Sequence, residues 1–235
     1  YDPLIGGQVD GSWVEVRGVV RRVRDEPGRR VLGVHTGRRE IEVAVDAATD
    51  ADRPAVPANS VVAARGVAVS RASADGRWVG GRLLVPAAGH VRVVRGGDDD
   101  PFAGPLTPLG DLRKYPPGRR VGGRVNVAGV VTHRTPARMA VQGPTGAAWV
   151  DLEPDQPGAV GDAVRVAGFP GESPGAYRLE VGVVRVTGPG DPPPAAPLAP
   201  DPDVFQAADA TLVAADGRVL AVSPRDGGWV IVLQV

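Results

Sequence analysis

The sequence contains no cysteine, a single methionine and, among its 27 basic residues, a single lysine, Lys114. The missing cysteines exclude disulfides, thiolate zinc sites and cysteine nucleophiles. They do not select a compartment, because reducing and oxidising environments both tolerate such a chain. Aromatic residues make up only 4%, so a core has to be assembled mainly from Val, Leu and Ala. Neither sign of charge is in excess: 27 acidic residues balance the 27 basic ones, which removes any bulk attraction for nucleic acid or an anionic membrane. No apolar run is long enough to span a bilayer as a helix, and no signal peptide is recognisable. The first residue is Tyr1 rather than methionine, and the chain is expected to be part of a longer polypeptide.

Valine, 33 glycines and 24 prolines dominate instead. That combination predicts short strands and many turns, not long helices. Two Pro/Gly/Asp-rich breaks interrupt the pattern, RGGDDDPFAGP at 95–105 and TGPGDPPPAAPLAPDP at 187–202. The second should be extended and semi-rigid. Around them one phrase recurs: WVEVRGVV at 13–20, VVAARGVA at 61–68, RVNVAGVV at 124–131 and AVRVAGFP at 163–170. Its period-two alternation is that of a half-buried strand, with Val125, Val127 and Val131 inward and Asn126 outward.

Other features repeat in step with the phrase. Asp2-Pro3, Thr107-Pro108 and Asp201-Pro202 each predict a capped helical turn leading into a unit. Gly18, Gly129 and Gly217 follow, then second strands ending in Thr-Gly turns at 31–43 and 140–152. Glycine-bearing fourth strands carry Gly66 and Gly168, and closing strands lie at 80–94 and 176–188. A glycine within a long first strand marks a bulge or bend. Five strands with a curled first strand describe an oligonucleotide/oligosaccharide-binding (OB) barrel.

The fold expected is therefore all-β: tandem OB-like five-stranded Greek-key barrels, two complete, and a partial third hairpin. The boundaries read as barrel one over 1–97, a linker over 98–118, barrel two over 119–188, a Pro-rich linker over 189–203 and the partial unit over 204–235. Between strands three and four, 46–59 predicts a turn or two of helix and 153–162 a plain loop. The terminal apolar strand WVIVLQV is an aggregation hazard if left uncovered, so either the chain continues or this hairpin packs on a neighbour.

The phrases GSWVEVRGVVRRV, GGRVNVAGVVTH, VQGPTGAAWV and GDAVRVAGFPG, in this order and spacing, resemble tandem OB-like repeats in the extracytoplasmic part of large bacterial sensor histidine kinases. PLTPLGDLRKYPPG is similar to the lead-in segments of those arrays. The resemblance runs from about Asp10 to Thr187. In the second-strand phrase, usually close to LQDGTGG, Gln142, Thr145 and Gly146 match while Gly143 and Pro144 depart. The resemblance implies a non-catalytic periplasmic or extracellular array serving a signalling protein. Membrane attachment would come only through flanking segments. Kinase activity is not implied, because no phosphoacceptor or nucleotide-binding motif occurs.

Catalytic chemistry finds no constellation. His35, His90 and His133 are isolated and read as strand or turn residues rather than metal ligands. Asp98-Asp99-Asp100 lacks the alternation of a calcium loop and reads as solvated linker. No serine lies in a G-x-S-x-G elbow, and the glycine-rich stretches are turns, not nucleotide cradles. The expectation is a non-enzymatic module without cofactor or metal, binding a small ligand or a protein partner.

The disfavoured alternative is a single-strand nucleic-acid binder, which would use aromatics on strands two and three with a basic groove. The second unit offers Arg138, Gln142 and Trp149 there, with Met139 beside them. These three are the candidate ligand-binding residues, although Trp149 could equally close the barrel mouth. The first unit offers Arg29, Arg30, Arg38 and Arg39, no aromatic, and acids at Glu40, Glu42 and Asp46. Trp13, Trp78 and Trp229 neighbour Asp-Gly turns and are expected to cap barrel ends.

Overall fold

The computed structural model describes residues 9–37, 39–72, 78–112, 114, 122–171, 177–198, 209–225 and 228–234; of Arg71, Ala72, Trp78, Val79 and Gly228 it describes the backbone alone. The chain divides into two compact units, 1–105 with 115–125, and 106–114 with 126–235. Asp2-Pro3, Asp201-Pro202, Arg38 and the Asp226-Gly227 turn lie outside the described residues.

In the first unit the strands are β1 (Trp13–Glu26), β2 (Arg29–His35), β3 (Glu40–Asp46), β4 (Val61–Ala72), β5 (Trp78–Val85) and β6 (Val91–Arg95). They run in the order β1-β2-β3-β5-β4, and pairing of β1 with β4 closes the ring. One junction is parallel, β3 with β5; β5 is thus wedged between two strands that precede it in sequence. This is the OB permutation. The core is aliphatic, as the composition requires. Val20, Leu32, Val34, Ile41, Val43, Val62, Leu83 and Val85 form one buried cluster. The closing stretch 80–94 differs from expectation: Pro86 and a 3-10 turn at Ala88–His90 break it, and β6 pairs with the outer edge of β4. Between β3 and β4 a single 3-10 turn, Asp50–Asp52, forms with Thr49 and Asp52 in a reciprocal capping box.

The second unit contains β7 (Val125–Arg134), β8 (Arg138–Gly143), β9 (Gly146–Leu152), β10 (Asp162–Gly171) and β11 (Tyr177–Pro189). These form a closed barrel in the order β7-β8-β9-β11-β10, again with a parallel third-to-fifth junction, β9 with β11. Residues 153–161 form no helix. Beyond the barrel, β12 (Ala196–Pro197) and β13 (Val213–Ala214) make a short parallel pair, and β14 (Arg218–Arg225) with β15 (Gly228–Gln234) makes a hairpin.

Both first strands bend as predicted, at a definable place. The register slips at Arg21 in β1 and at Thr132 in β7, three residues after Gly18 and Gly129. The glycines themselves serve close approach: a Cβ on Gly18 would strike the His35 carbonyl, and one on Gly129 the Gln142 carbonyl.

Two expectations of side-chain direction fail. Asn126 is buried, not outward, because the lead-in segment lies alongside β7, bridging Leu106 to Asn126 and donating the Thr107 amide to the Asn126 carbonyl at 2.6 Å. The tryptophans that are described do not close barrel ends. Trp13 is exposed and meets His90 edge-on at 5.3 Å, and Trp229 is exposed. The expected lead-in turn forms at Leu109–Asp111, but Pro108, not Thr107, occupies the cap position. The acidic run at 98–100 is more than solvated linker: Asp98 accepts from Asn59 Nδ2 at 2.9 Å, and Asp100 accepts from the Phe102 amide at 3.0 Å.

Candidate functional site

The outer surface of strands two and three is the face on which an OB barrel offers ligands side chains. In the second unit, alternation along β8 points Arg138, Ala140 and Gln142 to one side, while Met139 and Val141 enter the core. The β8–β9 register sets Trp149 opposite Ala140. The three candidate residues therefore share one face.

Arg138 lies 5.6 Å from the Trp149 ring centre and donates from Nε to Asp151 at 2.9 Å. Arg178 of β11 donates to the other oxygen of the same carboxylate. His133 of β7 meets the Trp149 ring edge-on at 5.8 Å. The indole is thus framed by a guanidinium and an imidazole, and Asp151 neutralises part of the local positive charge.

This face is covered by the protein itself. Trp149 Nε1 donates to Asp209 at 2.8 Å, and Gln142 Oε1 accepts the Leu212 amide at 2.8 Å. The covering segment continues into β13, which β12 steadies: Ala196 N donates to the Leu212 carbonyl at 3.1 Å and Leu198 N to the Ala214 carbonyl at 2.8 Å. Gln142 is consequently buried, Trp149 half-buried and Arg138 exposed. The neighbouring end of the barrel is closed by the lead-in turn. Tyr177 donates its hydroxyl to the Gly110 carbonyl at 2.9 Å, and the Gly110 amide donates to Thr145 Oγ1 at 3.3 Å.

In the first unit the equivalent face is ionic. Glu42 takes the place that Trp149 has in the second, since each stands opposite the same point of strand two and beside an arginine of strand five, Arg82 or Arg178. Arg22 Nη1 donates to both Glu40 oxygens at 2.9 and 3.1 Å, and Arg82 donates to Glu42 at 2.6 Å. Arg22, Glu40 and Glu42 line a hollow of about 340 Å³ together with Arg24, Gly33, Gly80 and Gly81. Of the acids expected to offset the neighbouring arginines, Glu40 and Glu42 pair instead with Arg22 and Arg82. Arg30 is held by Asp25 through two bonds of 2.7 and 3.0 Å. This pairing lowers the Asp25 carboxyl below the usual carboxylate range.

A larger hollow of about 690 Å³ lies between the β3–β4 connection and β6, lined by Asp46, Val56, Pro86 and Val93 among others. Two of its charged groups are engaged within the protein: Arg53 pairs with Asp50 at 2.8 Å, and Asp52 accepts from Thr49. Among the described residues no group of three or more His, Asp or Glu side chains is placed to hold a metal ion.

Sequence reasoning placed Arg138, Gln142 and Trp149 on one face but missed what covers it, Asp209 and Leu212, and the flanking His133, Asp151 and Arg178. The arginine and histidine were accessible from the repeat, since they occupy the positions of Arg82 and Arg22. Asp209 stands 60 residues from Trp149 and sits in no motif.

No family model matches this chain, and no curated protein matches it. Solved structures do. The hypothetical protein ygiW from E. coli is 16% identical, covering 36% of this chain and 91% of that one, with a TM-score of 0.30. The p204 HINb domain is 13% identical over 74% and 96%, with a TM-score of 0.29. A murine DNA-binding protein bound with double-stranded DNA is 14% identical over 77% and 98%, with a TM-score of 0.30. Likenesses this slight carry no functional argument; the strand order and the parallel junctions define the fold.

Proposed function

We propose that this chain is a non-enzymatic interaction array of a bacterial signal-transduction protein, placed outside the cytoplasm, whose barrel faces hold polypeptide rather than nucleic acid. One observation carries the reading: the outer face of β8 and β9 seats a turn of the chain's own backbone, Asp209–Leu212, through a backbone amide bound by Gln142 and a carboxylate bound by Trp149. A surface that recognises a main-chain N–H and an acid three residues earlier is built for a peptide. The ion-paired face of the first barrel adds support, because Arg22 and Arg82 are already neutralised by Glu40 and Glu42. The signalling context rests on the resemblance of the repeated phrases alone.

The second reading, single-strand nucleic-acid binding, draws on Arg138 stacked over Trp149, a pairing that nucleobases exploit. Fluorescence anisotropy separates the two. A labelled peptide spanning residues 207–214 is expected to bind the Asp209→Ala variant, whose own segment is loosened, and to lose binding when Trp149→Ala is added. Labelled single-stranded DNA and RNA are expected not to bind at low salt. Tight DNA or RNA binding that falls steeply with salt and disappears with Arg138→Ala would sink the peptide reading.

A further inference from the structure

The hairpin β14–β15 repeats the first hairpin of each barrel residue for residue. In β1–β2 the residue after Gly18 pairs with His35; in β7–β8 the residue after Gly129 pairs with Gln142; in β14–β15 the residue after Gly217 pairs with Gln234. The register then slips at the third residue past the glycine in all three, at Arg21, Thr132 and Leu220. The glycine also plays the same part each time. A Cβ on Gly217 would strike the Gln234 carbonyl, as one on Gly18 or Gly129 would strike that of His35 or Gln142.

This correspondence assigns the faces. Val20 and Val131, two past the glycine, are fully buried, and so are Val34 with Val141 and Leu32 with Met139 on strand two. Their counterparts are Val219, Leu233 and Ile231, which are 55%, 37% and 56% exposed. Val222, the counterpart of the core-packed Val23, is exposed as well. In the first unit the covering groups are Ile41 and Val43 of β3, Val62 and Ala64 of β4, and Leu83 and Val85 of β5. A two-stranded hairpin with an uncovered apolar face is marginal in water, and both of its edges invite pairing.

We infer that β14 and β15 are strands one and two of a third OB barrel. The occupant of their inner face is a three-stranded sheet in the order 3-5-4, carried by the same polypeptide and entering through a tight turn directly after Gln234. The choice of the same polypeptide follows from the repeat. At the corresponding point of the first unit the Thr36 amide donates to the Arg39 carbonyl at 3.0 Å. The second turns through Pro144 and Thr145, with Gly143 paired to Gly146. In both, strand three begins at once beside strand two. The third strand would pair antiparallel with β15, the fourth antiparallel with β14, and the fifth would lie parallel to the third between them.

The first test is the coding sequence beyond Val235. Three further valine-rich strands are expected within a stretch as long as 40–85 or 146–189, the second of them bearing a glycine like Gly66 or Gly168. A stop codon at that point overturns the proposal. The second test is amide hydrogen exchange on the full encoded polypeptide. Slow exchange throughout 218–234, lost on Val219→Asp with Ile231→Asp while the first two barrels keep their protection, is the expected result. Rapid exchange of 218–234 in the unsubstituted polypeptide overturns it. So does equal protection in the 235-residue chain that appears only with concentration-dependent dimerisation, because the occupant would then be a second copy.

Discussion

Asn59 shows how much one side chain carries in the first unit. It adopts a left-handed φ of 70°, a conformation that costs most residues energy but that asparagine tolerates. Its amide donates to the Val20 carbonyl at 2.7 Å, its Nδ2 to Asp98, and its Oδ1 accepts the Arg124 amide at 3.0 Å. Asn59→Ala loses buried hydrogen bonds and gains backbone strain, and should cost about 2–4 kcal/mol in denaturant unfolding. Asn59→Gly removes only the strain and should recover part of that loss; an alanine variant as stable as the parent would show that neither effect operates. In the second unit, Asp209→Ala removes the acceptor of the Trp149 indole. The Leu212 amide should then exchange hydrogen at least several-fold faster, read by mass spectrometry, while the barrel amides of β8 and β9 keep their rates. Neither residue was legible beforehand. Alternation reports which way a strand residue points, whereas Asn59 and Asp209 act from connections, where nothing periodic exists to read. Arg138, Gln142 and Trp149 were legible because they lie on strands whose period is two.

At the scale of the element, the wedged fifth strand decides whether a barrel exists. Leu83 of β5 is fully buried among residues of the other strands, and Leu83→Ala should cost about 2–5 kcal/mol by leaving a cavity at the one place where β3 and β4 are joined. A loss under about 1 kcal/mol in urea unfolding would mean that the wedge collapses onto the gap. The β3–β4 connection is pinned differently, by charge. Arg30 grips Asp25 and donates to the Pro54 carbonyl at 2.9 Å, and Arg53 reaches Asp50, Asp25 and the Glu26 carbonyl. The hydrogen bond from Arg30 lowers the Asp25 pKa in the folded protein. The pinning is therefore complete above the unfolded carboxylate value of about 3.9 and fades as pH falls through the lower folded value. The Arg30 Nε–H signal should shift in that acidic window by NMR, and Asp25→Asn should abolish the dependence. The strands themselves were readable from repeated phrases, as was the bend of each first strand. The break at Pro86 was not, because 80–94 keeps its alternation across a point where the backbone has to leave the sheet.

At the scale of the whole molecule, the two units carry different surfaces on one strand order. Glu42 and Trp149 occupy the same position on the same face, yet one sits in an ionic rim and the other under a segment of chain. Two copies of one barrel have thus been given surfaces of opposite character without any change in the strands beneath. The balanced charge, with a sequence pI near 7.1, predicts minimal solubility close to neutrality and improvement on either side. Polyethylene glycol precipitation across pH checks this, and a flat profile would contradict it.

The parallel junction has a consequence in time. A ribosome delivers β3, β4 and β5 in that order, but β5 has to settle between the other two. Until it emerges, β3 and β4 cannot be joined, and the apolar faces of four strands wait uncovered. Closure is a late step governed by contacts distant along the chain, the kind that folds in milliseconds to seconds. During synthesis each unit must therefore pass through an interval in which its first hairpin stands as β14 and β15 stand here: shaped, apolar and open. A chaperone that shields aliphatic β-surface would have its natural moment there, once for every barrel in the array.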